Sequence, residues 1–269
     1  NVLTLPDWVR SWAASERGLS AADLAMQIAL PEFDGRIVAG PVSFKAEAAP
    51  DPALAFARRE SAPDRAGVAA VAVQAAAWAR LSATPRAERR LALVLSDYPA
   101  RGGRTGFAVG LDTPASAVAI LDLLREAGYD AAGAIDAKSL IPRLLSGPET
   151  LRVPLSAHAA WLARLPAARR AELAETWGAP ADDPACDGDA FVFRVVRAGK
   201  VLIALQPDRG RGDRKASYHD PNLPPTHAYC AFYAALAEHE RVDALIHLGT
   251  HGTTEWLPGK AVALAPDDW

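Results

Sequence analysis

The sequence predicts an α/β fold: a mainly parallel, Rossmann-like sheet flanked by helices, with a short N-terminal segment belonging to a preceding domain. Three observations carry this. Arg90-Leu-Ala-Leu-Val-Leu-Ser96 has the unbroken hydrophobicity of a strand buried on both faces. Stretches with helical apolar spacing lie between such runs. Three runs end in polar, glycine-containing loops, after Ser96, Leu205 and Ile246. If the sheet is parallel there, the three loops converge on one rim, the strand carboxyl ends where open α/β sheets bind ligands.

Each element follows from local chemistry. Ser20 N-caps a helix through Met26, with Asp23 at its third position. Pro31-Glu-Phe-Asp-Gly35 turns into an extended run, Arg36 to Phe44. Residues 1–45 are read as the end of a preceding domain or an N-terminal extension. Residues 46–64, rich in Ala and Pro, are read as a linker. Residues 65–269 are read as the α/β core. A helix over 64–81 places Val68, Val71, Ala75 and Trp78 on one face. The strand over 90–96 leads through Asp97-Tyr98-Pro99 and a glycine-rich loop to a helix opened by Thr113-Pro114 and stopped at Gly128. Ser139 to Leu145 is a short helix, and Pro166 separates a helical pair, 156–165 and 167–177. Phe191 to Val196 and Lys200 to Leu205 read as a hairpin around Ala198-Gly199. Pro224-Pro225 opens a helix to His239, and Val242 to His247 is the next strand.

Bulk chemistry narrows the function. Lys and Arg number 29 against 32 Asp and Glu, a net charge of −3, so no global basic field holds nucleic acid or an anionic membrane. The two cysteines form no CxxC pair, which argues against a thiolate zinc site. No signal peptide and no uncharged run long enough to span a bilayer is evident, so a reducing cytoplasm is the expected home. The chain begins at Asn1 rather than Met, and a fragment of something larger is the expectation.

The densest chemistry lies in His247-Leu-Gly-Thr-His251-Gly-Thr-Thr-Glu255-Trp256-Leu-Pro-Gly-Lys260. Imidazole and carboxylate ligate divalent metals and accept protons near neutral pH. The two histidines are four apart, as in HExxH, but no Glu lies between them and Gly249 and Gly252 argue against a helix. The spacing G-x-x-x-x-G-K-[ST] is not met, so no nucleotide is assigned here. A second cluster, Arg209, Arg211, Arg214 and Lys215, reads either as a solvated loop or as a carboxylate clamp. Asp97 is either an acid–base group or a turn former. His219 and His227 flank the proline-rich helix start and are placed near the same rim; His158 and His239 receive no role, and Cys230 is read as a core residue.

Pro207-Asp-Arg-Gly210, Tyr218-His-Asp-Pro-Asn-Leu-Pro-Pro-Thr-His-Ala-Tyr229 and the His247–Lys260 stretch together resemble the large subunit of cobaltochelatases of the CobN type, a family related to the large, porphyrin-binding subunit of magnesium chelatase. The resemblance spans nearly the whole chain and implies an internal piece of a longer protein. It implies insertion of Co²⁺, as substrate, into hydrogenobyrinic acid a,c-diamide on the aerobic route to cobalamin. ATP and Mg²⁺ would be used by an AAA+ ATPase subunit and its integrin-like companion, and no cofactor would be bound here. The wording Glu-Trp-Leu-Pro-Gly-Lys leans towards the cobalt branch rather than magnesium insertion into protoporphyrin IX. The family loop usually has an aromatic before Asp213-Arg214, and a larger apolar residue is common at Cys230. With the resemblance, His247, His251 and Glu255 are the candidates to deliver metal or accept protons, as transient Co²⁺ ligands. Arg209, Arg214, Tyr218 and His219 are the candidates to hold substrate, with Trp256 and Tyr98 against the macrocycle. A non-catalytic corrinoid-binding or docking module and a metal-dependent hydrolase are the competing readings.

Overall fold

The computed structural model describes residues 2–51, 53–97, 105–106, 108–210, 219–250 and 252–269. It forms two compact units, one of residues 1–79 with 258–269 and one of residues 80–257.

The first unit carries a three-stranded sheet in which β1 (Val2–Trp8) lies parallel to β2 (Gly40–Glu47), and β2 antiparallel to β3 (Arg59–Pro63). Its helices are short: α1 (Val9–Ala13), α2 (Ala21–Leu24) and α3 (Leu30–Phe33), with a π-helical turn joining the last two. Ser20 caps α2 as its sequence position dictates, accepting from Asp23 N. Leu3, Leu5, Trp12, Leu19, Phe44 and Ala263 make its core. The segment read as a linker therefore contains a strand, and residues 258–269 join this unit rather than the α/β core. Lys260 Nζ lies 4.7 Å from the centre of the Trp12 ring and donates to Ala13 O. The helix α4 (Arg65–Ala83) forms as the alanine-rich sequence dictates, and Val68 and Trp78, which its spacing puts on one face, are exposed. Among the described residues it is the one helix long and apolar enough, by length and composition alone, to cross a membrane, a test that core helices of soluble proteins also pass.

The second unit is built on a sheet with strand order β5-β7-β8-β4-β9: β5 (Thr150–Pro154), β7 (Ala190–Ala198), β8 (Val201–Leu205), β4 (Leu91–Leu95) and β9 (Ala244–Leu248). The two-residue β6 (Cys186–Asp187) pairs with β7. β8, β4 and β9 are parallel, whereas β5, β7 and β8 run antiparallel, so the sheet is mixed rather than mainly parallel. The difference arises where β7 returns directly to β8 through Ala198-Gly199, a hairpin that cannot join parallel strands. All five residues of β4 are buried, as its apolar run requires of a central strand.

Helices cover both faces. Ala92, Val94, Leu202 and Ala204 point to the face closed by α9 (His227–Ala234); Leu91, Leu93, Leu95 and Ile203 point to the face closed by α5 (Thr113–Glu126) and α6 (Ala137–Ser146). The caps set these helices. Asp112, not Thr113, caps α5 by accepting from Ala115 N, and Thr226 caps α9 by accepting from Tyr229 N. The helical pair α7 (Leu155–Leu162) and α8 (Ala167–Trp177) is interrupted before Pro166, as expected.

Candidate functional site

The three parallel strands end at one level. Leu95 of β4 is in register with Leu205 of β8 on one side and with Leu248 of β9 on the other. Ser96 N donates to Leu248 O and Gln206 N to Leu95 O, so Ser96, Gln206 and Gly249 stand together at the carboxyl rim. The convergence inferred from three separate loops is thus a property of the sheet.

A cavity of about 490 Å³ opens at this rim, with Asp97, Leu144, Phe193, Gln206, Asp208 and Thr226 among its walls. Asp97 is tied into its loop: Oδ1 accepts from Gly106 N at 2.7 Å. Gly106 has φ +69°, and a Cβ there would come within 2.9 Å of Ile141 Cδ1, so the turn needs glycine. Thr226 Oγ1 donates to Asp208 O, fixing the strand-end loop to the start of α9.

His247 lies on β9 with its side chain towards α9. Its Nε2 is 2.8 Å from the hydroxyl of Tyr233, whose oxygen also accepts from Gln206 Nε2 at 2.7 Å. The same amide nitrogen donates to the Tyr229 hydroxyl at 3.2 Å. Burial lowers the pKa of His247 below the ordinary value for histidine, favouring the neutral ring. Burial pushes the Tyr233 phenol up to about 12, so it stays protonated. Glu255 sits exposed on the 3₁₀ turn Thr253–Trp256. His219 and Trp256, assigned to substrate from distant parts of the sequence, are brought together, with ring centroids 4.9 Å apart and nearly perpendicular. Trp256 Nε1 is buried and, among the described residues, has no hydrogen-bond partner.

Arg209 departs from expectation. It is 2% exposed, and its guanidinium donates to the carbonyls of Asp220 and Leu223. Arg209 is thus buried and bonded to backbone carbonyls rather than displayed at the surface as its basic neighbours suggested. Tyr98, Arg214, Tyr218 and His251 lie outside the described residues, and the trio of His247, His251 and Glu255 is described only at its two ends. Among the described residues no group of three His, Cys, Asp or Glu side chains is spaced to hold a metal ion.

Sequence reasoning missed the Gln206–Tyr233–His247 chain. Tyr229 and Tyr233 are four apart on a helix, a visible spacing, but no local pattern records that this helix face meets Gln206 at one strand end and His247 on another strand. It also missed a buried histidine pair: His158 Nε2 lies 3.1 Å from His227 Nδ1, and His227 Nε2 lies 3.1 Å from Gly178 O. His227, placed at the rim from sequence, is instead buried. Cys230 is a core residue, as read, and burial raises its thiol pKa.

Known proteins resemble this chain along nearly its whole length. The sequence model of the family described as CobN/Magnesium Chelatase matches residues 2–269. The chain is 41% identical, over 94% of its length, to the aerobic cobaltochelatase subunit CobN of a Sinorhizobium species, of which it covers 21%. It is 29% identical to the H-type subunit of the magnesium chelatase of Rhodobacter capsulatus, over 96% of this chain and 23% of that one. A solved structure, the catalytic subunit of cobaltochelatase from Mycobacterium tuberculosis, superposes with a TM-score of 0.82 at 38% identity, covering 98% of this chain and 23% of the other. The chain thus spans about a fifth of the length of these relatives, which are metal chelatases by name. Matched along nearly its whole length, with the rim and the motif from His247 to Lys260 inside the match, the chain belongs to the CobN/magnesium chelatase family.

Proposed function

We propose that this chain is part of the large, tetrapyrrole-binding subunit of an ATP-dependent cytoplasmic cobaltochelatase, which inserts Co²⁺ into hydrogenobyrinic acid a,c-diamide during aerobic cobalamin biosynthesis. The observation that carries the reading is the rim itself. Three parallel strands end together there: His247 stands on β9, which leads into the turn bearing Glu255 and Trp256, and a cavity with apolar and acidic walls opens at the ends of β4 and β8. The preference for cobalt rests on identity, 41% to CobN subunits against 29% to the Rhodobacter capsulatus magnesium-chelatase relative.

Metal insertion needs a macrocycle held with one face open, a metal that sheds water, and acceptors for the pyrrolic protons. Trp256 and His219 offer aromatic surface against the ring, with Tyr218 next to His219 in sequence and Tyr98 just after β4. Glu255 is the proton acceptor, being an exposed carboxylate beside that surface. His251, with Glu255, passes Co²⁺ through a transient site; nitrogen and oxygen donors of intermediate affinity release the ion where a thiolate cage would retain it. Peripheral carboxylates of the substrate fall to Arg214. ATP hydrolysis belongs to an AAA+ partner subunit and its integrin-like companion.

The test uses the full-length subunit with its partner subunits. Glu255→Gln is expected to lower the rate of cobalt insertion roughly 10²-fold or more while leaving corrinoid affinity within about twofold, the signature of a lost proton acceptor. His251→Ala is expected to raise the Co²⁺ concentration needed for half-maximal rate. Normal turnover in both variants removes the loop from the chemistry; loss of affinity alone makes it a binding surface.

A further inference from the structure

We infer that Tyr233, itself held by Gln206, is a positioning residue that commits Nε2 of His247 to a hydroxyl and leaves Nδ1–H as the ring group His247 offers to a molecule bound at the rim. The inference rests on the reading that the rim is the insertion site, and it narrows the role of His247 within it.

Counting hydrogens fixes the direction of each bond. A primary amide nitrogen carries two and only donates, and among the described residues Gln206 Nε2 faces the hydroxyls of Tyr233 at 2.7 Å and Tyr229 at 3.2 Å. The oxygen of Tyr233 is therefore an acceptor, and its own hydrogen is directed to its other neighbour, His247 Nε2 at 2.8 Å. A phenol carries one hydrogen and can give it to only one of its neighbours. A neutral imidazole has one N–H and one lone pair, so a ring that accepts at Nε2 carries its proton on Nδ1. Packing reinforces the bond. The Tyr233 and His247 rings meet at 5.8 Å and 70°, and Tyr233 is also held edge-on by Phe232 and tilted against Tyr229. An imidazole set this way has no lone pair to give a metal and none to take a pyrrolic proton. It donates a hydrogen bond to an acceptor on the substrate or to a carboxylate of the site. Proton acceptance is left to Glu255.

Reversing one hydrogen bond tests this. Gln206→Glu places an acceptor where the amide donates. Tyr233 then donates to the new carboxylate, its oxygen accepts from His247, and the imidazole proton moves to Nε2. In the full-length subunit with its partners, Gln206→Glu is expected to lower kcat for cobalt insertion roughly tenfold or more with KM for the corrinoid unchanged. Tyr233→Phe is expected to lower kcat by a similar factor, and the double variant to be no worse than Tyr233→Phe, because the carboxylate acts only through the hydroxyl. Gln206→Met, which is uncharged, covers the case in which the buried carboxylate prevents folding; it frees the hydroxyl to rotate and is expected to lower kcat a few-fold, again without moving KM. Wild-type kcat in both Gln206 variants, additive losses in the double variant, or a fall expressed only in KM overturns the inference. His247→Ala separates the two claims. If it turns over normally, the reading of the site fails and the inference with it. If it is impaired while the Gln206 variants are not, the inference alone fails.

Discussion

His158, which received no functional role from the sequence, is a buried packing residue with its own chemistry. It is 1% exposed, stacks on Trp161 and meets Phe191 edge-on. Because His227 Nε2 faces a carbonyl, His227 Nδ1 is the acceptor and His158 Nε2–H the donor. His158 Nδ1 is then a buried lone pair without a partner among the described residues. Burial, helped by the neighbouring His227, lowers the pKa of His158 to about 4. The folded pKa lies below the unfolded one, so the unfolded chain binds the proton more tightly. The stabilisation is complete above about pH 6.5, and it is lost as pH falls towards 4, amounting to roughly 3 kcal/mol at most. Denaturant unfolding of the full-length subunit, followed from about pH 7.5 down to about pH 4, is expected to show this loss, and His158→Gln to flatten it. Arg209 makes a second residue-scale prediction. Arg209→Met strands the carbonyls of Asp220 and Leu223 and is expected to destabilise the protein by about 1–3 kcal/mol without substrate present, whereas removing a mere substrate clamp would leave the unliganded protein unchanged. The contrast between legible and illegible residues is physical. His219 and Trp256 carry aromatic chemistry within recognisable motifs, and they do meet. The bond from Tyr233 to His247 and the pair of His158 with His227 arise from packing between elements, which no local spacing records.

At the scale of elements, continuous burial was easy to read and pairing direction was not. The strand β4 is apolar throughout and lies at the centre; α4 and α8 follow their helical spacing to within a residue or two of the expected ends. The strand β5 went unread although buried Leu151 and Val153 alternate with exposed Thr150, Arg152 and Pro154, the period of a half-buried strand; at five residues it is too short for that period to stand out. The hairpin of β7 and β8 was legible from Ala198-Gly199, and its turn explains why glycine is needed. Gly199 has φ +54°, and a Cβ there would lie 2.0 Å from Asp130 Oδ1 and 2.7 Å from Asp130 O. Lys200 N donates to that same carbonyl, so the turn cannot retreat without losing the bond. Gly188 is the matching control: φ is +67° and nothing lies within 4 Å of the added Cβ. Gly188→Ala is expected to cost about 1 kcal/mol, from backbone strain alone. Gly199→Ala is expected to cost at least about 2 kcal/mol. Thermal unfolding of the two variants checks the difference, and equal losses would show that Asp130 yields freely.

At the scale of the whole molecule, the sheet order places the functional strand at an edge. Among the described strands β9 pairs with β4 alone, while its three inward residues, Ala244, Ile246 and Leu248, pack on the core shared with α5 and α6. Its other face carries His247 and Leu245, the latter 39% exposed. A parallel sheet normally has both faces covered, and an open apolar edge is a template for pairing with another chain. This chain is about a fifth of the length of its CobN relative, so the edge is a property of the piece described, and its exposure is testable on that piece. Produced by itself, the 269-residue chain is expected to self-associate with rising concentration. Leu245→Lys puts a charge beside the edge without touching the inward face, and is expected to suppress that association while leaving the unfolding midpoint of the fragment unchanged. Light scattering against concentration reads the first effect and thermal unfolding the second. In the full-length subunit the same substitution reads something different: a lower melting temperature there, with none in the fragment, means that residues outside this chain cover β9 and close the wall beside His247. An unchanged full-length subunit means that His247 faces solvent on that side, and a substrate can reach it across the open edge.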